Sequence, residues 1–206
     1  MNSLTFFKNL KLNRGFTLVE LVVVMSIAVI MITTLVVQQN KWNDSLTVNT
    51  QAYELALMIR QAQIYSLGVR ESAPGSGNFD IGYGVYFDSN NSRYIYFADK
   101  NGDKKYNAGE EIEIKTLTNG VTVDRFCGVK DVGQLDDKCS SGSGNVAYLN
   151  ISFFRPEPKA NILLLNNRGN QSGNTIPPAT IYLKSLGGNQ YSVKVEANGQ
   201  VSVTQI

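Results

Sequence analysis

The hydrophobic pattern changes period along this chain. From Phe16 to Val37, 22 residues are predominantly apolar and hold Glu20 as their only ionisable side chain. As a helix that run is about 33 Å long, enough to cross a bilayer. Gln38 to Asn49 is polar, and then Ala52, Leu55, Ala56, Ile59 and Ala62 recur at helical spacing. The helix is therefore expected to continue with an apolar face under a globular domain, leaving Gln51, Glu54, Arg60 and Gln61 in water. No proline or glycine interrupts Phe16 to Leu67, which predicts a run approaching about 78 Å with Gly68 as its stop.

From Ser72 onward the period is two. Candidate strands are 82–87, 93–98, 111–116, 121–126, 147–154, 161–165, 180–184, 190–196 and 201–205, with turn residues such as Asn119-Gly120, Gly187-Gly188-Asn189 and Asn198-Gly199 between them. Asn198-Gly199 between two alternating runs predicts a tight hairpin. The expected fold is α+β: a long N-terminal helix, membrane-spanning and then amphipathic, packed on an antiparallel β domain. The divisions fall at 1–15, a leader to be removed; 16–37, the spanning helix; 38–71, its amphipathic continuation; and 72–206, the β domain.

Glu20 is the position that needs explaining. A carboxylate inside a bilayer costs roughly 2.5 kcal/mol or more, so a partner or a function is expected for it. Residues 1–14 carry Lys8, Lys11 and Arg14 and no acid, which favours keeping that end in the cytoplasm. A secretory signal peptide would instead place a small-residue cleavage site after its apolar region, and Ile32-Thr33-Thr34-Leu35 is a poor one. If the chain were cut after Gly15, the new α-amine of Phe16 would lie four residues before Glu20 on one helical face, protonated at neutral pH. In a bundle the amine of one subunit could equally meet the carboxylate of another. A basic leader, glycine before the cut, Phe first and Glu fifth resemble the type IV prepilin signal. That resemblance implies cleavage after Gly15 by a membrane peptidase, N-methylation of Phe16, and Glu20 as the carboxylate used in assembly. Removing the leader's three positive charges takes the formal net charge from +2 to −1, so nucleic acid is not expected as an obligatory partner.

Cys127 and Cys139 are the only cysteines. An exported domain meets an oxidising compartment, so a disulfide is expected, contributing about 3 kcal/mol by loop entropy; two free thiols are the other reading. Two sulfurs with no histidine fall short of a zinc ligand set. The loop from Asp99 to Glu110 places Asp99, Asn101, Asp103, Asn107 and Glu110 at the side-chain ligand positions of a calcium-binding EF-hand loop, with Lys105 offering a carbonyl. Lys104 stands at the sixth position, where such loops carry glycine. Calcium is a possible ligand here, and a solvated turn between two strands is the alternative. No cofactor is expected to be required.

Catalysis finds little support. There is no histidine, which removes Ser-His and Cys-His nucleophiles. The adjacent pairs Glu110-Glu111 and Asp136-Asp137 do not share a strand face, and no phosphate loop precedes a Lys-Ser or Lys-Thr pair. An enzyme is not expected.

The order of elements narrows the resemblance further. The helical segment Glu54 to Arg70, then Gly82-Tyr83-Gly84-Val85-Tyr86-Phe87-Asp88, Gly120-Val121-Thr122-Val123, Ile151-Ser152-Phe153 and the closing Asn-Gly hairpin are similar to the GspH/FimT group of minor pseudopilins and minor pilins. The resemblance implies a long helix carrying two β-sheets, and a structural subunit of a type IV pilus-like or type II secretion filament. Its partners would be other pilin subunits, prepilin peptidase and an inner-membrane assembly platform. Its location would be the cytoplasmic membrane, single-pass with the C-terminal domain outside the cytoplasm, and then a periplasmic or surface filament. A DNA-binding minor pilin of a competence pilus is the alternative, but no basic residue follows Lys194. A membrane-anchored enzyme is a third reading.

Overall fold

The structure, a computed structural model, describes residues 15–68, 77, 81–89, 92–129, 137–141, 146–171 and 176–206. The leader residues Lys8, Lys11 and Arg14, and Asp136, lie outside the described residues. Among the described residues one helix, α1 (Leu18–Leu67), is followed by ten strands: β1 (Gly82–Asp88), β2 (Arg93–Asp99), β3 (Glu111–Thr116), β4 (Thr122–Val129), β5 (Asp137–Cys139), β6 (Tyr148–Phe153), β7 (Ala160–Leu165), β8 (Ile176–Lys184), β9 (Gln190–Val195) and β10 (Val201–Gln205). The chain divides into two compact units, residues 1–41 and 42–206.

In the first unit the described part of α1 carries an apolar stretch, Leu18–Val36, long enough to cross a membrane, with none of its window buried. The helix does not begin at Phe16 as the pattern predicts. Thr17 lies outside it and caps it: the Glu20 N–H donates to Thr17 Oγ1 at 3.2 Å, and the Leu21 N–H to the Thr17 carbonyl at 3.2 Å. A threonine hydroxyl at this position takes up an amide proton that the first turn leaves unpaired.

The second unit has one core. Val48, Ala52, Leu55, Ala56, Met58, Ile59 and Ala62 of α1 share it with alternate residues of both sheets, including Tyr83, Val85 and Phe87 of β1 and Ile181, Leu183, Val193 and Val195 of β8 and β9. The sheets are antiparallel with five strands each, ordered β3-β2-β1-β6-β7 and β10-β9-β8-β4-β5. Every second residue faces the core because side chains alternate along a strand. Tyr65 of α1 meets the rings of Tyr83 and Tyr96 edge-on at 5.9 and 6.4 Å, fixing the end of the helix to the first sheet. Arg155 closes that end by donating from Nε to the Ser66 carbonyl and from Nη2 to the Gly68 carbonyl, where unpaired carbonyls and the helix dipole favour a cation.

Three details differ from the pattern-based reading. Gln51, expected in water, is buried and donates through Nε2 to both the carbonyl and the hydroxyl of Thr118. β5 is an additional strand, too short for its period to show. At the β9–β10 turn Gly199 has φ 84° while Asn198 is not left-handed, so the connection is a longer turn ending in a left-handed glycine, not a two-residue Asn-Gly turn.

Candidate functional site

At the N-terminal segment, Gly15 and Phe16 precede the helix, and Phe16 is 76% exposed. An added Cβ at Gly15 would meet nothing within 4 Å. Glu20 occupies the third position of the helix and is exposed. Thr17 and Glu20 have the spacing of a capping box, a local role for both side chains, and the Glu20 backbone half of that exchange is present. Phe16 lies just before the helix in this uncleaved chain, and the pairing expected of its α-amine with Glu20 concerns the chain cut after Gly15.

The loop between β2 and β3 is organised by its own carboxylates. Asp99 and Glu110 are both buried, at 1% and 6% exposure. Asp99 accepts from the N–H groups of Gly102 and Lys104, each at 2.7 Å; Glu110 accepts from those of Lys100 at 3.0 Å and Asn107 at 2.9 Å. Asn101 Oδ1 takes the Asp103 N–H, Asp103 takes the Lys105 N–H, and the Asn107 amide donates to Asp103. Lys104 adopts φ 67°, a left-handed conformation, at the position where a calcium loop carries glycine. Burial pushes the Asp99 carboxyl up; the Lys104 and Gly102 N–H donors oppose that shift, and the charges of Glu110 and Asp103 add to it. Among the described residues no three His, Cys, Asp or Glu side chains form a metal-holding group. The ligand candidates Asp99, Asn101, Asp103, Asn107 and Glu110 are thus brought into one turn, where their oxygens hold backbone amides.

The loop is also fastened to the sheet. Tyr106 packs on Tyr86 and Phe97, with ring centroids 4.8 and 5.8 Å apart, and its N–H donates to Asn150 Oδ1 at 2.8 Å. The loop covers part of the first sheet's outer face, which explains why Phe97 is buried on the side away from the main core. The sequence signal for Asn150 was present: a polar residue inside the apolar strand Tyr148–Phe153.

Cys127 and Cys139 are directly opposite in the β4–β5 pair and form a disulfide. A second contact was not anticipated. Asp44 of α1 accepts from Ser185 Oγ at 2.6 Å, Asn189 Nδ2 at 2.8 Å and the Gly187 N–H at 3.3 Å. These donors, Ser185 foremost, hold the Asp44 carboxyl below the usual carboxylate range although desolvation opposes them. A Cβ at Gly187 would lie 2.3 Å from Asp44 Oδ2, so glycine allows the close approach. The partners are 141 residues or more apart in sequence, and no local pattern announces them.

Among known families, the model of the prokaryotic N-terminal methylation motif matches the chain over residues 10–36. It covers the leader's end, Gly15, Phe16, Glu20 and the apolar stretch. Neither the curated proteins nor the solved structures give a significant match to the chain.

Proposed function

We propose that this chain, which carries the prokaryotic N-terminal methylation motif ahead of an apolar helix, is a type IV prepilin-like protein, and more narrowly a minor pilin or minor pseudopilin of the GspH/FimT kind, a structural subunit of a pilus-like or type II secretion filament. In this reading prepilin peptidase cuts after Gly15, Phe16 becomes the N-methylated terminus, and the exposed apolar helix first anchors the subunit in the membrane and then packs against other pilins. The β-rich unit lies outside the cytoplasm. Glu20 supplies the carboxylate that a neighbouring subunit's terminal amine meets during assembly. The observation that carries the proposal is the coincidence of the methylation motif at residues 10–36 with an apolar, wholly exposed stretch at Leu18–Val36. Its test is mass spectrometry of the membrane form: the expected N-terminus is Phe16 carrying one added methyl group. A mature chain that starts at Met1, or beyond Val37, overturns it.

We also propose weak calcium binding by the loop from Asp99 to Glu110. Two buried carboxylates share it, the left-handed Lys104 provides the sharp turn such loops need, and Asp99 already receives the sixth residue's N–H. Asp99, Asn101, Asp103 and Glu110 would supply side-chain oxygens, Lys105 its carbonyl, and Asn107 a direct or water-mediated contact. Calcium would act there as a structural clamp on the turn.

A further inference from the structure

The first sheet of the second unit ends in a strand whose outer edge is open. Of the edge strands among the described residues, β7 is largely buried, β5 has three residues, and the Val201 carbonyl of β10 accepts from Arg60 Nη2 at 3.1 Å. β3 is exposed along its whole length and pairs only with β2. The Leu117 N–H donates to the Ser92 carbonyl at 2.9 Å, one step beyond the Thr116–Arg93 pair of the same ladder. Bonded and non-bonded pairs alternate along an antiparallel ladder. Lys115 and Glu113 therefore bond to β2, and the N–H and C=O groups of Ile114 and Thr116 point away from it. Such a row is a template for another strand. Ile112 and Ile114, each about half exposed, lie on one face of β3, and Glu113 and Lys115 on the other.

The order of side chains identifies the strand that fits this edge. When two β3 strands lie antiparallel with Ile114 opposite Ile114, Glu113 of each chain faces Lys115 of the other, and Ile112 faces Thr116. The bonds at Ile114 then use the groups that β2 leaves free, and the Glu113–Lys115 pairs fall at the non-bonded positions, where side chains are closer. Within one strand Lys115 Nζ already meets Glu113 Oε1 at 2.7 Å, with both side chains half-exposed. Two strands in this register join those ion pairs into a ring of four alternating charges. Moving the register by two residues sets Glu113 against Glu113 or Lys115 against Lys115. Moving it by one sets the charges against isoleucines and turns the free backbone groups of one strand toward occupied groups of the other. We propose that the free edge of β3 binds a second copy of this chain, antiparallel and edge to edge, about a two-fold axis at Ile114. A single strand pair is a small contact, so the dimer is weak and reversible. It needs nothing from the apolar helix.

Sedimentation of the full chain, in density-matched detergent with micelles in excess over chains, reads the pairing between about 1 and 500 µM chain. The wild type is expected to pass reversibly from monomer to dimer over that range. Glu113→Lys and Lys115→Glu each set like charges opposite one another, and each is expected to need at least about tenfold more chain for the same dimer fraction. Mixed in equal amounts, these two variants restore both opposite-charge pairs, and a heterodimer is expected to form as readily as the wild-type dimer. Ile114→Lys, which brings two lysines together on the axis, is expected to lose the dimer as well. All three positions are exposed, and unchanged circular dichroism and melting show that each variant is folded. A wild type that stays monomeric over the whole range refutes the pairing. If the wild type and the variants associate alike, the contact lies elsewhere, the apolar helix included, and the pairing is again refuted. Charge variants that lose association and do not regain it on mixing refute the axis at Ile114.

Discussion

At the scale of single residues, Glu20 and Asp44, two of the three acids of α1, have opposite situations. Glu20 is exposed on an apolar surface and, among the described residues, no cation sits against it. Glu20→Ala should insert into the membrane more readily, by less than about 2.5 kcal/mol because Glu20 lies at the end of the span and not at its centre, yet enter filaments poorly, as measured by the fraction of subunit in sheared filaments. Undiminished incorporation would remove the carboxylate from assembly. Asp44 is satisfied within its own unit. Its folded pKa lies below the ordinary 3.8, so its contribution is present above that value and fades as pH falls through the lower folded one. Asp44→Ala should lower the melting temperature at neutral pH, at a cost of about 1 kcal/mol, and the difference from wild type should shrink below pH 3.8. An undiminished difference in acid would mean that the ionised carboxylate is not what holds the turn. Glu20 was legible because its type clashes with its surroundings in sequence; Asp44, in the polar stretch Asn40 to Ser45, clashes with nothing until the β8–β9 turn arrives beside it.

At the scale of elements, strand alternation and helical spacing carried most of the architecture, and they miscarried where an element is an edge or a lid. β3 opens with glutamate and isoleucine in alternation, yet every one of its residues is exposed, because neither of its faces is covered by the core; its edge position alone does not do this, since β7 at the other edge of the sheet is largely buried. The loop before it was readable as a set of oxygen donors. Its packing through Tyr106 and Asn150 onto the sheet was not, since those contacts join residues 44 apart. If the loop takes calcium, the full chain in detergent should gain about 1.4 kcal/mol of stability at calcium ten times the dissociation constant, seen as a raised melting temperature. The double substitution of Asp103 and Glu110 by Ala should abolish that gain. Calorimetry showing no heat with the wild type at millimolar calcium would leave the loop as a turn held by its own carboxylates.

For the whole molecule, the division at 41/42 separates a helical segment with an exposed apolar surface from a unit that encloses its own core. Residues 42–206 alone should therefore be soluble without detergent and melt in one cooperative transition, whereas the full chain should require a bilayer or detergent. A gradual, non-cooperative melt of the shorter chain would show that the core depends on the remainder. What the sequence by itself determined is what depends on neighbours along the chain: the N-terminal methylation motif over residues 10–36, the apolar length to Val36, the helical face from Ala52 to Ala62, and nearly all the strands. These follow from periods and spacings that a linear pattern records. Only the tertiary structure decided the order of strands in two sheets, the burial of Gln51 against Thr118, the Asp44 clamp on the β8–β9 turn, and the pairing of Cys127 with Cys139. Apart from the cysteines, whose pairing composition had suggested, these rest on contacts between residues far apart in the chain. Such contacts form when two faces each find in the other the only neighbour that satisfies their polar groups and excludes water, a condition that no local window contains.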